Sequence, residues 1–154
     1  MRPSKDEYFT SIAQLVSTRA TCYKKHVGCV LVDSQGYILA TGYNGVPSGM
    51  SHCIDGDGDC PNRFLDDTAR RLRCRAIHAE ANALLQCKTR DLIHIAYCTL
   101  FPCFSCLKLL AATPCSSIIY TDLRKHPELP LEYLRDFWEK SRQGRTIFCQ
   151  PISQ

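Results

Sequence analysis

No stretch of this sequence is apolar for long enough to cross a bilayer as a helix. Nor does an apolar core follow the charged opening, where Met1 to Phe9 holds Arg2, Lys5, Asp6 and Glu7. The first absence excludes a membrane-spanning helix and argues against a membrane partner. The second gives no secretory leader to read, so the chain is expected to stay in the cytoplasm. A strong charge of one sign is lacking as well. The formal net charge is only +4, which suits a phosphorylated small molecule and does not call for a nucleic-acid partner. Internal repeats, linkers and low-complexity segments are missing too, and 154 residues suit a single domain over 1–154 with its own core.

Cysteine is abundant instead. There are eleven, an odd number. Without a leader, a disulfide framework is the weaker explanation, and reduced thiols point to metal binding or catalysis. Cys29 and Cys98 stand inside strand-like apolar runs and are read as small core residues.

The pattern along the chain predicts alternating elements. Ser4 and Glu7 form a capping box, followed by a helical stripe of Tyr8, Ile12, Leu15 and Val16. Val27 to Val32 reads as a strand, Asp33 to Gly36 as a turn and Tyr37 to Ala40 as a returning strand. Thr41 to Ala76 reads mostly as loop, with a short helix near Phe64 to Leu72. Helices are expected over His78–Cys87, Cys103–Ala112 and Leu131–Ser141, the first packing through Ala81, Leu84 and Leu85. Strands are expected over Leu92–Thr99, Ser117–Thr121 and Thr146–Cys149. The fold class is therefore α/β: a three-layer α/β/α sandwich around a five-stranded mixed sheet.

Two short motifs carry chemistry. In Pro102-Cys103-Phe104-Ser105-Cys106, two cysteines three apart open a helix and share one face. Free N–H groups and the helix dipole favour thiolate there, and Pro102 tolerates the boundary. Two thiolates and one imidazole leave a fourth zinc position for water, the arrangement of a catalytic zinc. His78 can supply the imidazole. Glu80 follows two residues later in the first turn of its helix, near the metal without binding it, where a carboxylate serves as general base and then general acid. A lone Cys-x-x-Cys would equally suit a redox pair or half a structural zinc site. Paired in this order with His-x-Glu, it matches the signature of zinc nucleobase deaminases.

The sequence resembles the deoxycytidylate (dCMP) deaminase family of the cytidine deaminase superfamily, over about Tyr8 to Thr121. Four segments carry the resemblance: Thr21-Cys22 through Val27-Gly28; Gly42-Tyr43-Asn44-Gly45-Val46-Pro47-Ser48-Gly49; His78-Ala79-Glu80-Ala81-Asn82-Ala83; and Thr99-Leu100-Phe101-Pro102-Cys103-Phe104-Ser105-Cys106. The resemblance implies a cytidine deaminase-like fold and hydrolysis of dCMP to dUMP and ammonia, supplying dUMP for thymidylate synthesis. His78, Cys103 and Cys106 would hold zinc, metal-activated water would attack C4 of cytosine, and Glu80 would pass protons to N3 and then to the departing amine. Asn44 would bind the sugar hydroxyl and the Ala79 main chain the exocyclic amine. The resemblance further implies a homo-hexamer activated by dCTP and inhibited by dTTP. Magnesium would accompany the effector, and Gly42, Tyr43, Asn44 and Gly45 would lie at the effector site.

The residues themselves add three readings. Asn44-Gly45 and the Pro47–Gly49 turn are expected to expose backbone N–H groups suited to phosphate; the alternative is a plain tight turn. Lys24, Lys25 and His26 precede the first strand, so Lys25 and His26 either meet a 5′-phosphate or form a solvated basic cluster. Cys22, Cys53, Cys60 and Cys74 flank the long loop and suit a second, structural zinc, with His52 as a substitute ligand; the alternative is a set of ordinary thiols. Against the family pattern, Ala81 replaces a larger apolar residue and Ala111 to Cys115 replaces a glycine-containing loop. Lys88 and Arg90 only loosely match an expected basic position. A deaminase acting on dCTP or cytidine, a tRNA adenosine deaminase, and a zinc-stabilised binding protein without catalysis are the competing readings. His94, His126 and Cys149 receive no role.

Overall fold

The structure is a computed structural model that describes residues 1–55, 60, 73–123 and 129–150. The helix expected near Phe64 to Leu72 and the side chain of His126 lie outside them. Gly28–Val32 (β1) is apolar without alternation, and all five residues are buried, so this strand is covered on both faces. It pairs antiparallel with Ile38–Tyr43 (β2) and with Ile95–Leu100 (β3). Ser117–Asp122 (β4) and Thr146–Cys149 (β5) continue the sheet in parallel from β3. The order is β2-β1-β3-β4-β5, a five-stranded mixed sheet.

Helix α1 (Lys5–Ser17) covers one face, packing Phe9 and Ala13 on Val30, Val32, Tyr97 and Ile119. Helices α2 (Ala79–Gln86), α3 (Phe104–Ala111) and α4 (Leu131–Ser141) cover the other, over Cys29, Leu31, Ala96, Cys98, Ile118 and Tyr120. Three layers result, as the element pattern predicts. No helix among the described residues is long and apolar enough to cross a membrane.

The capping box forms: Glu7 N–H donates to Ser4 Oγ at 3.2 Å, and Ser4 N–H donates to Glu7 Oε2 at 2.7 Å. The stripe of α1 is rotated from its expected position. Phe9, Thr10 and Ala13 are buried while Tyr8 and Leu15 are exposed, because the sheet takes the Phe9 side. In α2, Leu84 is buried but Leu85 is not. Strand β2 runs further than expected, since Thr41, Gly42 and Tyr43 pair with Val30, Cys29 and Gly28. Strand β3 starts later, because Arg90–Leu92 forms a 3-10 turn.

Two glycines set the layer spacing. A Cβ on Gly28 would stand 2.0 Å from the Ala13 carbonyl oxygen, and one on Gly42 would stand 2.3 Å from both Ala79 O and Ala83 N. The backbones of α1 and α2 therefore lie against the sheet at a distance no side chain permits. The contact at Gly42 fixes the first turn of α2, which holds Glu80.

Candidate metal centre

Both motif segments end at helix N-caps. His78 caps α2 and Cys103 caps α3, in extended backbone conformation, and neither side chain bonds its own helix. Ser, Thr, Asp or Asn at an N-cap contributes about 1 kcal/mol by bonding the first turn. Here that contribution is forgone and both side chains turn toward each other. The expected helices each included their ligand; the structure instead places it one residue before the first helical residue. Cys106 sits in the first turn of α3 and is buried.

The three donor atoms converge. His78 Nδ1 lies 3.4 Å from Cys103 Sγ and 3.5 Å from Cys106 Sγ. This is the one group of three metal-donor side chains among the described residues whose donor atoms all lie within 4.8 Å of one another. Sulfur at about 2.3 Å and imidazole nitrogen at about 2.05 Å from a tetrahedral zinc stand about 3.5 Å apart, so the donors fit zinc without rearrangement. Glu80 is beside them, only 1% exposed in the first turn of α2.

The electrostatics favour a bound cation. The Cys106 thiol donates to Cys103 and holds the Cys103 thiol down to about 3, assisted by His78 against the opposing effect of burial. Cys106 is pushed up by that same bond, then by burial and by the Glu80 carboxylate. Cys103 caps α3 and Cys106 lies in its first turn, where the helix dipole favours negative charge, and a bound divalent cation would favour the thiolate form of both.

The segment after β2 is more closed than its glycines suggest. Asn44 is buried; its Oδ1 accepts from Val27 N–H at 2.7 Å and its Nδ2 donates to Lys25 C=O at 2.8 Å. Gly45 and Ile77 exchange backbone bonds of 3.1 and 2.8 Å, and Asn44 N–H reaches Val27 C=O at 3.3 Å. The expected exposed N–H groups at Asn44 and Gly45 are therefore spent inside the protein, which corrects the phosphate-nest reading of this turn. Asn82 Nδ2 donates to Tyr43 C=O at 2.8 Å, so Gly42 to Gly45 is tied to both sides of the His78 motif.

Of the four further cysteines, Cys53 and Cys60 are in hydrogen-bond contact, while Cys22 and Cys74 act on Cys53 through charge alone. The Cys53 thiol is pushed up to about 11, first by burial, then by a hydrogen bond and charge from Cys60, then by Cys22 and Cys74. Ile54 N–H donates to Thr21 C=O at 3.2 Å, which holds Cys53 near Cys22. Lys24 N–H donates to Cys22 Sγ at 3.4 Å. Cys29 and Cys98 are buried as expected, directly across β1 and β3, with sulfurs 3.8 Å apart. Lys25 and His26 border a pocket of about 460 Å³ at the carboxyl ends of β3 and β4, with Gln14, Thr99, Thr121 and Asp122 among its other walls. Nothing in sequence spacing signals those last four, which three separate elements bring together.

Residues 3–122 match the cytidine and deoxycytidylate deaminase zinc-binding region. The chain belongs to that deaminase family. It is 39% identical over 127 residues to a deoxycytidylate deaminase of Mycobacterium phage D29, covering 77% of this chain and 95% of the phage protein. It is 37% identical over 140 residues to the deoxycytidylate deaminase of Saccharomyces cerevisiae, covering 88% of this chain and 43% of the yeast protein. The deaminase chain thus spans under half of the yeast relative's length. Among solved structures, dCMP deaminase from cyanophage S-TIM5 in complex with dCMP and dUMP superposes with a TM-score of 0.72 at 25% identity, over 97% of this chain and 99% of that one.

Proposed function

We propose that this deaminase hydrolyses dCMP to dUMP and ammonia at a zinc held by His78, Cys103 and Cys106, with Glu80 as the proton carrier. The observation that carries the reading is the three-donor cluster, with a buried carboxylate beside it in the first turn of the same helix as His78. Support for dCMP comes from the deoxycytidylate deaminases it resembles over most of its length.

Bound zinc would lower the pKa of a coordinated water to about 7. Everything else belongs to the chain. Glu80, held out of bulk water, would take a proton from the attacking water and deliver it to N3 of cytosine, then take the remaining proton from the new C4 hydroxyl and deliver it to the departing amine. One water is consumed, the C4–N bond breaks, and ammonia leaves. The Ala79 main chain at the head of α2 faces the exocyclic amine. Asn44 keeps one lone pair and one N–H beyond its bonds to Val27 and Lys25, enough to meet a sugar hydroxyl. By the same bonds it fixes the segment from which Lys25 and His26 address the 5′-phosphate.

The same reading includes a second zinc at Cys22, Cys53, Cys60 and Cys74, supported by the contact of Cys53 with Cys60 and the influence of Cys22 and Cys74 on it. It also includes a cytoplasmic homo-hexamer, making dUMP for thymidylate synthesis, activated by dCTP with magnesium and inhibited by dTTP. Its support is the resemblance of the Gly42 to Gly49 segment, together with the close packing of Gly42 on α2, which would pass a displacement to Glu80.

Ammonia release from dCMP by zinc-loaded protein, with dCTP and then dTTP added, tests the proposal. Turnover raised by the first and lowered by the second is expected. Turnover indifferent to both removes the regulation. No turnover on dCMP, with turnover on dCTP, cytidine or a tRNA anticodon stem-loop, replaces the substrate.

A further inference from the structure

We propose that α4 positions the metal donors: Tyr133 and Phe137 hold the ring of Phe104, and Phe104 in turn fixes the turn from Cys103 to Cys106. The inference rests on the proposed zinc site and adds the residues that keep its geometry. Phe104 stands between the two cysteine donors as the first residue of α3. Its ring meets that of Phe137 at 5.0 Å between centroids and 81°, and that of Tyr133 at 5.9 Å and 68°. Both are edge-to-face contacts, the arrangement that the ring quadrupoles favour. Lys108 Nζ lies 4.9 Å from the same centroid. Tyr133 and Phe137 are four residues apart on one side of α4, next to its buried stripe of Leu134 and Trp138. The helix is thus seated on the core by one stripe and reaches the metal-donor turn with the next.

The need for this support follows from the cap. The Cys103 side chain makes no bond to its own helix, so its Sγ is placed by where the backbone stands. Before Cys103 the backbone is held by the sheet. Phe101 is fully buried, its ring meets Tyr120 at 4.9 Å, and its N–H donates to Asp122 C=O at 2.8 Å. After Cys103 the chain is less enclosed, since Phe104 is only half-buried and Ser105 is exposed. Cys106, Leu107 and Leu110 seat the inner face of α3, and the Phe104 ring sets the roll of the end that carries Cys103. A metal site needs its donors held within about 0.5 Å. A roll at this end moves Cys103 Sγ relative to His78 Nδ1, which stands 3.4 Å away. Tyr133, Phe137 and Phe104 are therefore positioning residues that act through Cys103.

Zinc release to a competing chelator tests this in wild type, Phe104→Leu, Phe137→Leu, Tyr133→Leu, Phe104→Tyr and Arg145→Met. Each protein is also made with Cys53→Ser and Cys60→Ser, so that release from the His78 site is followed alone. Phe104→Leu and Phe137→Leu are expected to release zinc about tenfold faster, the usual size when the support around a metal ligand is lost. Tyr133→Leu should shift release in the same direction but less; its side chain is exposed, so its folding is not at issue. Phe104→Tyr keeps the ring and should restore the wild-type rate. Arg145→Met loosens the far end of α3 and should leave release unchanged. With cobalt in place of zinc, the thiolate charge-transfer and ligand-field bands should shift in Phe104→Leu and not in Arg145→Met. Release at the wild-type rate from Phe104→Leu and Phe137→Leu overturns the proposal. So does release that follows melting temperature across the whole set, Arg145→Met included. A wild type that holds no metal at His78, Cys103 and Cys106 overturns the zinc site and this proposal together. Metal retention is read whether or not dCMP turns over, so a wrong substrate assignment leaves the test intact.

Discussion

Glu80 and Arg145 are two of the few buried charged residues, and they do opposite work. Glu80 sits against Cys106 beside the candidate metal donors, where the proposed mechanism draws on its proton affinity. Replacing it by Gln keeps shape and hydrogen bonding but removes the base. Zinc content should stay at the wild-type level by metal analysis while turnover falls at least about a hundredfold. Turnover within a few-fold of wild type would show that another group moves the protons. Arg145 is a structural charge. Its guanidinium donates to the carbonyls of Cys115, Ala111 and Thr113 at 2.9, 3.0 and 2.6 Å and to Ser141 Oγ at 2.5 Å, and lies 4.6 Å from the Trp138 ring. Arg145→Met would leave buried carbonyls without donors and should cost about 3 kcal/mol, read as a lower urea midpoint. Activity per folded molecule should not change, because the clamp lies at the far end of α3 from Cys103.

At the scale of elements, the decisive fact is that two helices begin at the same place. The first turn of α2 is held down by Gly42, whose missing side chain lets the Ala79 carbonyl and the Ala83 amide approach the strand. Gly42→Ala is therefore expected to lift that turn, at a cost of about 1–3 kcal/mol for overpacking. Zinc retention under a competing chelator should fall along with the melting temperature. A variant with lowered melting temperature but wild-type zinc retention would show that α2 moves as a rigid whole. The elements were largely legible in the sequence. Leu131–Ser141 and Thr146–Cys149 form as the pattern predicts, because both are bounded by strong punctuation and carry one apolar face. The boundaries that slipped lie where pairing outweighs local preference. Thr41 to Tyr43 joins β2 because β1 offers partners, although Gly42 and Asn44-Gly45 read as loop.

At the scale of the whole molecule, metal content is the telling measurement. With zinc at both the His78 site and the proposed site of Cys22, Cys53, Cys60 and Cys74, the purified protein is expected to carry two zinc ions per chain, and Cys53→Ser with Cys60→Ser to reduce this to one. A count unchanged by that double variant would confine zinc to the His78 centre. The sequence by itself determined the layered α/β class, the three candidate metal donors and the position of Glu80. Each depends on short-range spacing, and short-range spacing survives any arrangement of the rest. Only the tertiary structure decided which face of α1 is buried, that the Asn44-Gly45 amides are turned inward, and that Asp122 shares a pocket with Lys25 and His26. Those three depend on contacts between segments distant in the chain, set by how closely the helices settle on the sheet, and no local pattern encodes that distance.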